Sequence, residues 1–224
     1  MSPFATEGRA AEVAVVVVSH NSAEALPPLL DDVATEADRG LRIRVVVVDN
    51  ASADDSLSVA RTHPGVITVA APGNLGYAGG MNLGLRHVDP AEAVLVLNPD
   101  VRLTAGSIEQ LLLTLRESGA SVAVPRIVDA EGELYPSLRR EPTVRTALGD
   151  ALFGGRWRGR PGWLSETVWD GDAYTTPGDV DWATGAALLI RRDVARSVGP
   201  WDERFFLYSE ETDYRTRYPY DPDR

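Results

Sequence analysis

The strongest constraint on this chain is a repeated arrangement, a run of β-branched and other apolar residues that stops abruptly on polar ones. Val13-Ala14-Val15-Val16-Val17-Val18 gives way to Ser19-His20-Asn21-Ser22. Ile43-Arg44-Val45-Val46-Val47-Val48 gives way to Asp49-Asn50, and Ala93-Val94-Leu95-Val96-Leu97 to Asn98-Pro99-Asp100. Runs this short and this apolar read as strands buried on both faces, the habit of parallel sheets covered by helices. Between the first two, Glu24 to Arg39 sets Leu26, Leu29, Leu30, Val33 and Ala37 on one helical face, and Gly40 ends it. Ser52 or Asp54 then caps a short helix to Arg61, and Val66 to Ala70 supplies a third strand. The order β-α-β-α-β implies a parallel sheet with right-handed crossovers. In such sheets ligands gather outside the carboxyl ends of the strands, where Ser19, Asn21, Asp49, Asn50 and Asp100 fall.

The next stretch, Pro72-Gly73-Asn74-Leu75-Gly76-Tyr77-Ala78-Gly79-Gly80-Met81-Asn82, allows close backbone approach to a ligand through its glycines. A helix from Gly79 to His87 would turn its N-terminus toward a phosphate or sugar hydroxyl. The glycine spacing fits neither a dinucleotide fingerprint nor a P-loop. The competing reading is a flexible turn before a helix. A helix from Ala105 to Glu117, with Ile108, Leu111, Leu112 and Leu115 inward, and a strand from Val122 to Pro125 close this half.

From Asp129 to Asp179 periodicity is poor, and the segment reads as a lid or a variable loop. Between Arg139 and Arg160 six arginines stand against Glu141 and Asp150, in a chain whose formal net charge is -11. That reversal marks a contact for an anionic acceptor or diphosphate, or a solvated loop. Trp157, Trp163 and Trp169 read as anchors of this loop, with stacking on sugar faces the alternative. Order returns with a turn at Gly185, a strand through Arg192, a short helix from Asp193 to Val198, and Gly199-Pro200. Ser209 then caps a helix whose first turn holds Glu210 and Glu211, where the helix dipole favours carboxylates. Asp213 and Arg217 can pair along it.

The acidic balance argues against broad nucleic-acid binding. With no cysteine there is neither a disulfide framework nor thiolate chemistry, which fits a reducing, cytoplasmic setting. Val13 to Val18 is far shorter than the ~20 residues of a spanning helix, so the expectation is a soluble body, at most peripheral to a membrane. One carboxylate with few protein partners is how Mg²⁺ or Mn²⁺ is held when a substrate diphosphate supplies the other oxygens, and Asp100 suits that role. The cluster Glu210, Glu211 and Asp213 can supply a general base. Carboxylates at a helix start are otherwise only caps.

Six stretches in order carry a resemblance: Val15–Asn21, Val47–Ser52, Gly73–Asn82, Leu97–Asp100, Trp182–Ala186 and Phe205–Asp213. Together they are similar to the family 2 glycosyltransferases of the GT-A fold, in the bacterial rhamnosyltransferase-like branch. The resemblance implies one α/β domain of nucleotide-diphospho-sugar transferase type, Rossmann-like, with a mixed, mostly parallel central sheet flanked by helices. It implies an inverting transferase moving a sugar from a nucleoside diphosphate to an acceptor hydroxyl. The favoured donor is dTDP-rhamnose, with a UDP-sugar the alternative, and the acceptor is a glycan or lipid-linked sugar of cell-envelope synthesis. Asp100 is then the metal ligand for Mg²⁺ or Mn²⁺, and Asn98 meets the ribose or diphosphate. Ser19, Asn21 and Asp49 hold the nucleoside, Asn74, Gly76, Gly79 and Asn82 form the donor loop, and Glu211 is the base, with Glu210 competing and Asp213 beside them.

On this reading residues 1–12 are a flexible tail and 13–128 the nucleotide-sugar half. Residues 129–179 form the acceptor-side lid, 180–217 carry the acceptor-side strand and catalytic helix, and 218–224 are a second tail. The resemblance also implies more chain after Arg217, including a metal-binding His, whereas no His follows residue 87. That points to a truncated, frameshifted or trimmed product, at work in the cytoplasm or at the inner membrane face. The alternative function is a non-catalytic remnant that binds nucleotide or a partner. A nucleotidyltransferase is weaker, because no Gly-rich Arg/Lys loop follows the first strand.

Overall fold

The computed structural model describes residues 2–5, 10–141, 143–153, 161–205 and 217. The chain divides into two compact units, one of Met1–Val124 with Gly185–Arg224, the other of Pro125–Thr184.

The first unit is built on the valine runs. In chain order its elements are β1 (Ala11–Ser19), α1 (Leu26–Asp38), β2 (Ile43–Asp49), α2 (Ser56–Thr62), β3 (Ile67–Ala70) and α3 (Gly76–Gly84). A single 3₁₀ turn (Leu85–His87) leads to β4 (Ala91–Leu97), α4 (Ser107–Ser118) and β5 (Val122–Ala123). The other unit contributes β6 (Ile127–Val128), β7 (Leu134–Tyr135), β8 (Leu138–Arg139), α5 (Val144–Phe153) and β9 (Trp182–Ala183). The chain then returns to the first unit as β10 (Ala187–Arg191) and α6 (Arg192–Val198).

The main sheet runs in the order β3-β2-β1-β4-β10-β5. β3, β2, β1 and β4 are parallel neighbours, whereas β10 is antiparallel to both β4 and β5. The sheet is therefore mixed and mostly parallel, as expected. The strand before Asp100 is parallel to its neighbour on one side only.

Strand alternation sorts the valines between two cores. Val13, Val15, Val17, Val45, Val47, Leu95 and Leu97 face α1 and α4, meeting Leu26, Leu30, Val33, Ile108 and Leu112. Ala14, Val16, Val18, Val46, Val48, Val94 and Val96 face α3 and α6, meeting Met81, Val194 and Trp201. Burying both faces is what makes the runs unbroken in sequence.

Two charged groups are buried with them. Arg44 is fully buried and donates to the Val88 carbonyl at 3.0 Å, fixing the approach to β4. Glu36, 2% exposed, accepts from the backbone N–H groups of Gly106 and of Ile108 (3.0 Å), so α1 caps the start of α4. The helix of the donor loop begins at Gly76, three residues earlier than the sequence suggested.

The Pro125–Thr184 unit has two two-stranded sheets, β6-β7 and β8-β9, and the helix α5, which the aperiodic sequence did not announce. Tyr174 holds β8 in place: its hydroxyl accepts from Leu138 N–H at 3.0 Å and donates to the Val168 carbonyl at 2.9 Å.

Candidate active site

Because β1 to β4 run in parallel, their carboxyl ends lie along one sheet edge. Register places Ser19 opposite Asp49, and Asp49 opposite Ala70. Leu97 pairs with Val17, so Asn98-Pro99-Asp100 lies beside the end of β1.

Ser19 is fully buried and Asp49 is 5% exposed. The Ser19 hydroxyl and Asp49 Oδ1 have no hydrogen-bond partner among the described residues, while Asp49 Oδ2 accepts from Ser52 N–H at 3.3 Å. Buried polar atoms are normally satisfied, so two side by side at strand tips mark a place built for a ligand's own donors and acceptors.

Asn21 sits in the left-handed region, with φ 53°, and Ala51 at 59°. Asn21 Oδ1 accepts from Ala53 N–H at 2.7 Å, and its N–H donates to Ser52 Oγ at 3.0 Å. Its side chain thus ties the β1 loop to the β2 loop. Asp54 accepts from Ala23 and Ser56, which holds its carboxyl below the usual carboxylate range, the Ser56 hydroxyl being the main cause.

Asn50 was only a polar strand end in the sequence; in the structure it organises the donor loop. Its amide donates to Asn74 Oδ1 and to the Gly76 carbonyl, both at 3.1 Å, and its Oδ1 accepts from Leu75 N–H at 2.8 Å. Asn74 Oδ1 also accepts from Gly76 N–H at 3.0 Å. Two N–H groups at the start of α3 are therefore engaged within the protein.

Of the glycines expected to admit a ligand, Gly76 is required by its φ of 72° and Gly73 is open on its Cβ side. A Cβ on Gly80 would stand 2.6 Å from Val18 Cγ1, and one on Gly84 2.6 Å from Val16 Cγ1. Those two serve close packing of α3 on the sheet. At Gly79 a Cβ would meet Leu75 Cβ at 2.7 Å.

Asn82 engages its side chain with protein as well. Its Oδ1 accepts from Trp201 N–H at 2.8 Å, and its amide donates to the Trp201 carbonyl and to Glu203 Oε1, both at 2.9 Å. The rings of Tyr77 and Trp201 meet edge to face at 6.2 Å. α3 is thus stitched to the loop that leads toward the acidic stretch. On the far side of that stretch in sequence, Arg217 donates to the Pro200 carbonyl at 2.7 Å. Glu210, Glu211 and Asp213 themselves lie outside the described residues.

Asn98 N–H donates to the Ala186 carbonyl at 3.0 Å, which draws β10's start to the same edge. Asp100 is exposed and has no hydrogen-bond or ionic partner among the described residues. Among these residues no group of three or more His, Cys, Asp or Glu gathers to hold a metal by protein alone. A lone exposed carboxylate at a strand tip does fit Mg²⁺ or Mn²⁺ in the mode where substrate phosphates complete the shell.

In the other unit, the Trp169 indole donates to Ser165 Oγ at 3.1 Å and that of Trp182 to the Arg140 carbonyl at 2.8 Å, both acting as anchors. Trp163 is 62% exposed, and Trp157 lies outside the described residues.

A four-stranded parallel edge with polar tips, extended by an antiparallel strand and backed by helices on both faces, defines an α/β domain of the GT-A glycosyltransferase type. Comparison agrees at the level of fold. Residues 1–349 of S. aureus TarS superpose with a TM-score of 0.62 at 17% identity, covering 92% of this chain and 55% of that one. The mannosyltransferase PcManGT from Pyrobaculum calidifontis, in complex with GDP-Man and Mn²⁺, gives 0.59 at 20% identity, covering 94% and 53%. The chain thus spans about half the length of these solved structures.

The profile "Glycosyl transferase family 2" matches residues 14–198. A Mycobacterium tuberculosis protein named N-acetylglucosaminyl-diphospho-decaprenol L-rhamnosyltransferase is 31% identical over 215 residues, which are 91% of this chain and 69% of that protein. The low-salt glycan biosynthesis hexosyltransferase Agl10 of Haloferax volcanii is 29% identical over 214 residues, 92% of this chain and 62% of its own length. The chain belongs to glycosyl transferase family 2, in its rhamnosyltransferase-like branch. Among the described residues no helix is long and apolar enough to cross a membrane.

Proposed function

We propose that the chain transfers a sugar, with inversion, from a nucleoside diphosphate to an acceptor hydroxyl. The observation that carries this reading is the buried, unpartnered pair Ser19 Oγ and Asp49 Oδ1 beside the exposed Asp100 on the neighbouring strand tip. Asp49 and Ser19 meet the nucleoside, and Asn21 shapes the loop around it. Asn98 and the Asn74–Gly76–Gly79 turn meet the ribose or diphosphate, and Asn82 holds α3 in place. Asp100 would hold Mg²⁺ or Mn²⁺, which offsets charge on the diphosphate. Glu211, or Glu210 beside it, takes the acceptor proton as the hydroxyl oxygen bonds to the anomeric carbon. The bond from that carbon to the diphosphate oxygen breaks, and Asp213 supports the base.

Similarity to the mycobacterial L-rhamnosyltransferase supports rhamnose as the sugar and a lipid-linked diphosphate as the acceptor, with dTDP-rhamnose the favoured donor. The fold neighbours are seen in complex with UDP, UDP-GlcNAc and GDP-Man, which keeps a UDP-sugar as the alternative. In this reading residues 129–179 are the acceptor side, and the work is done in the cytoplasm or at the inner membrane face, for envelope glycan.

The test is donor-dependent release of nucleoside diphosphate with Mn²⁺. Asp100→Ala and Glu211→Gln are each expected to lower turnover by about 100-fold or more. Asp100→Ala should leave the melting temperature unchanged, because that side chain is exposed and has no hydrogen-bond or ionic partner among the described residues. Intact nucleotide binding without turnover in the parent chain would instead favour a non-catalytic nucleotide-binding remnant.

A further inference from the structure

We propose that Asp32 of α1 is a positioning residue for Asp100, drawing the Arg102 guanidinium away from it and so leaving that carboxylate open to a divalent cation. The inference rests on the reading of Asp100 given above. The segment after β4 is fastened at both ends. Asn98 N–H donates to the Ala186 carbonyl at 3.0 Å, and Leu103 N–H to Asp32 Oδ2 at 2.9 Å. Asp100 lies between these anchors in the chain. Glu36, one turn further along α1, takes the N–H groups of Gly106 and Ile108, so the same helix secures the rest of the loop.

Within that span stands a cation that competes for Asp100. Arg102 is two residues away, and a guanidinium beside a carboxylate makes a charge-assisted pair that a metal ion would have to displace. Arg102 instead gives one edge of its fork to Asp32, Nε to Oδ2 at 2.7 Å and Nη2 to Oδ1 at 2.9 Å. The hydrogen bonds from Arg102 hold the Asp32 carboxyl below the usual carboxylate range, so the pair is charged at neutral pH. Asp31 adds to the negative field on Arg102. The Asp32 side chain is 16% exposed against 65% for Arg102, which makes the helix the anchor and the guanidinium the group it captures. Asp100 is exposed, with no hydrogen-bond or ionic partner among the described residues, as this arrangement requires. Asp32 acts through Arg102, not on the substrate.

The experiment follows binding of Mn²⁺ to the full chain through loss of the free ion's electron paramagnetic resonance signal, with dTDP and with UDP as the diphosphate. Asp32→Asn keeps an oxygen for Leu103 N–H but removes the charge, and is expected to weaken Mn²⁺ binding by about tenfold. Arg102→Gln alone should stay within about threefold of the parent, and Asp32→Asn combined with Arg102→Gln should return to that range. A merely structural role for Asp32 would not be restored by removing a second residue. Binding of the diphosphate without metal should be the same in all four proteins. Parent-like Mn²⁺ binding by Asp32→Asn, or no restoration in the double variant, would overturn the inference. So would a loss in Arg102→Gln as large as in Asp32→Asn, which would assign Arg102 to the diphosphate itself. If the parent and Asp100→Ala bind Mn²⁺ alike, the reading of Asp100 fails and takes the inference with it, whereas the other outcomes leave that reading standing.

Discussion

The two units solve the same problem of burial in opposite ways. In the sheet unit, Val13 to Val17 and Val45 to Val48 are fully buried, and each strand residue packs on one of two helix layers. In the Pro125–Thr184 unit, the strands are two residues long, the buried apolar residues among those described are few (Leu138, Tyr174 and Ala183), and α5 shows Val144, Leu148 and Leu152 to solvent. A sheet covered on both faces can hold polar tips rigidly, as donor recognition requires. A thin unit held by turns and indole anchors can change its surface at little cost to the fold. Site rigidity and surface variability are thus assigned to separate parts of one chain.

The largest effect that would test this contrast is in the central strand. Leu95→Ala should cost about 3–5 kcal/mol, whereas Leu138→Ala should cost about 2 kcal/mol and loosen only its own unit. Thermal unfolding gives the first comparison. Native-state hydrogen exchange should show β8 and β9 opening while β1 to β4 stay protected, and equal global losses would break the contrast.

Next comes Gly80→Ala, which drives a methyl group into Val18 Cγ1 at 2.6 Å. We expect a loss of about 1–3 kcal/mol. Because α3 also carries the Asn74–Gly76 turn, donor affinity should fall as well, as isothermal titration with the nucleoside diphosphate would read.

The smallest effect concerns Asp89, whose carboxyl is brought down to about 2, chiefly by its hydrogen bonds to Arg192 and also by Arg196. A carboxylate with a depressed folded-state pKa stabilises above its ordinary value, and that stabilisation fades as pH falls through the folded value. Asp89→Asn should therefore lower the melting temperature slightly at pH 7, with the difference closing between about pH 4 and pH 2. The Asp89 side chain is 43% exposed, so solvent screening keeps the effect below about 1 kcal/mol. A larger loss would place this ion pair among the structural supports of α6.

The doubly buried strands were legible because burial on both faces leaves no polar alternation, and each run's end announced a strand tip. What could not be read depends on contacts distant in sequence. Gly80 stood among the glycines read as allowing close approach to a ligand, yet it and Gly84 are four apart on a helix that lies against Val18 and Val16. That spacing was the available signal. Asn82 reads as part of the donor loop, and nothing local reveals that its side chain bonds to Trp201 and Glu203, over a hundred residues away. Asn50 stood out only as the residue after Asp49, and nothing local reveals that it meets Asn74, Leu75 and Gly76. β6 to β9 are too short to carry any period. The place of Glu210, Glu211 and Asp213 remains an expectation from sequence, framed by the Asn82–Trp201 and Arg217–Pro200 bonds on either side.

β5 and β10 are paired neighbours, with Ala123 opposite Leu189, although some sixty residues separate them in the chain. The chain therefore leaves the sheet and rejoins it through two adjacent strands. Such a layout permits wholesale exchange or resizing of the insert while the strands of the main sheet keep their spacing. A graft there would alter that unit without touching the pairing of β1 to β4.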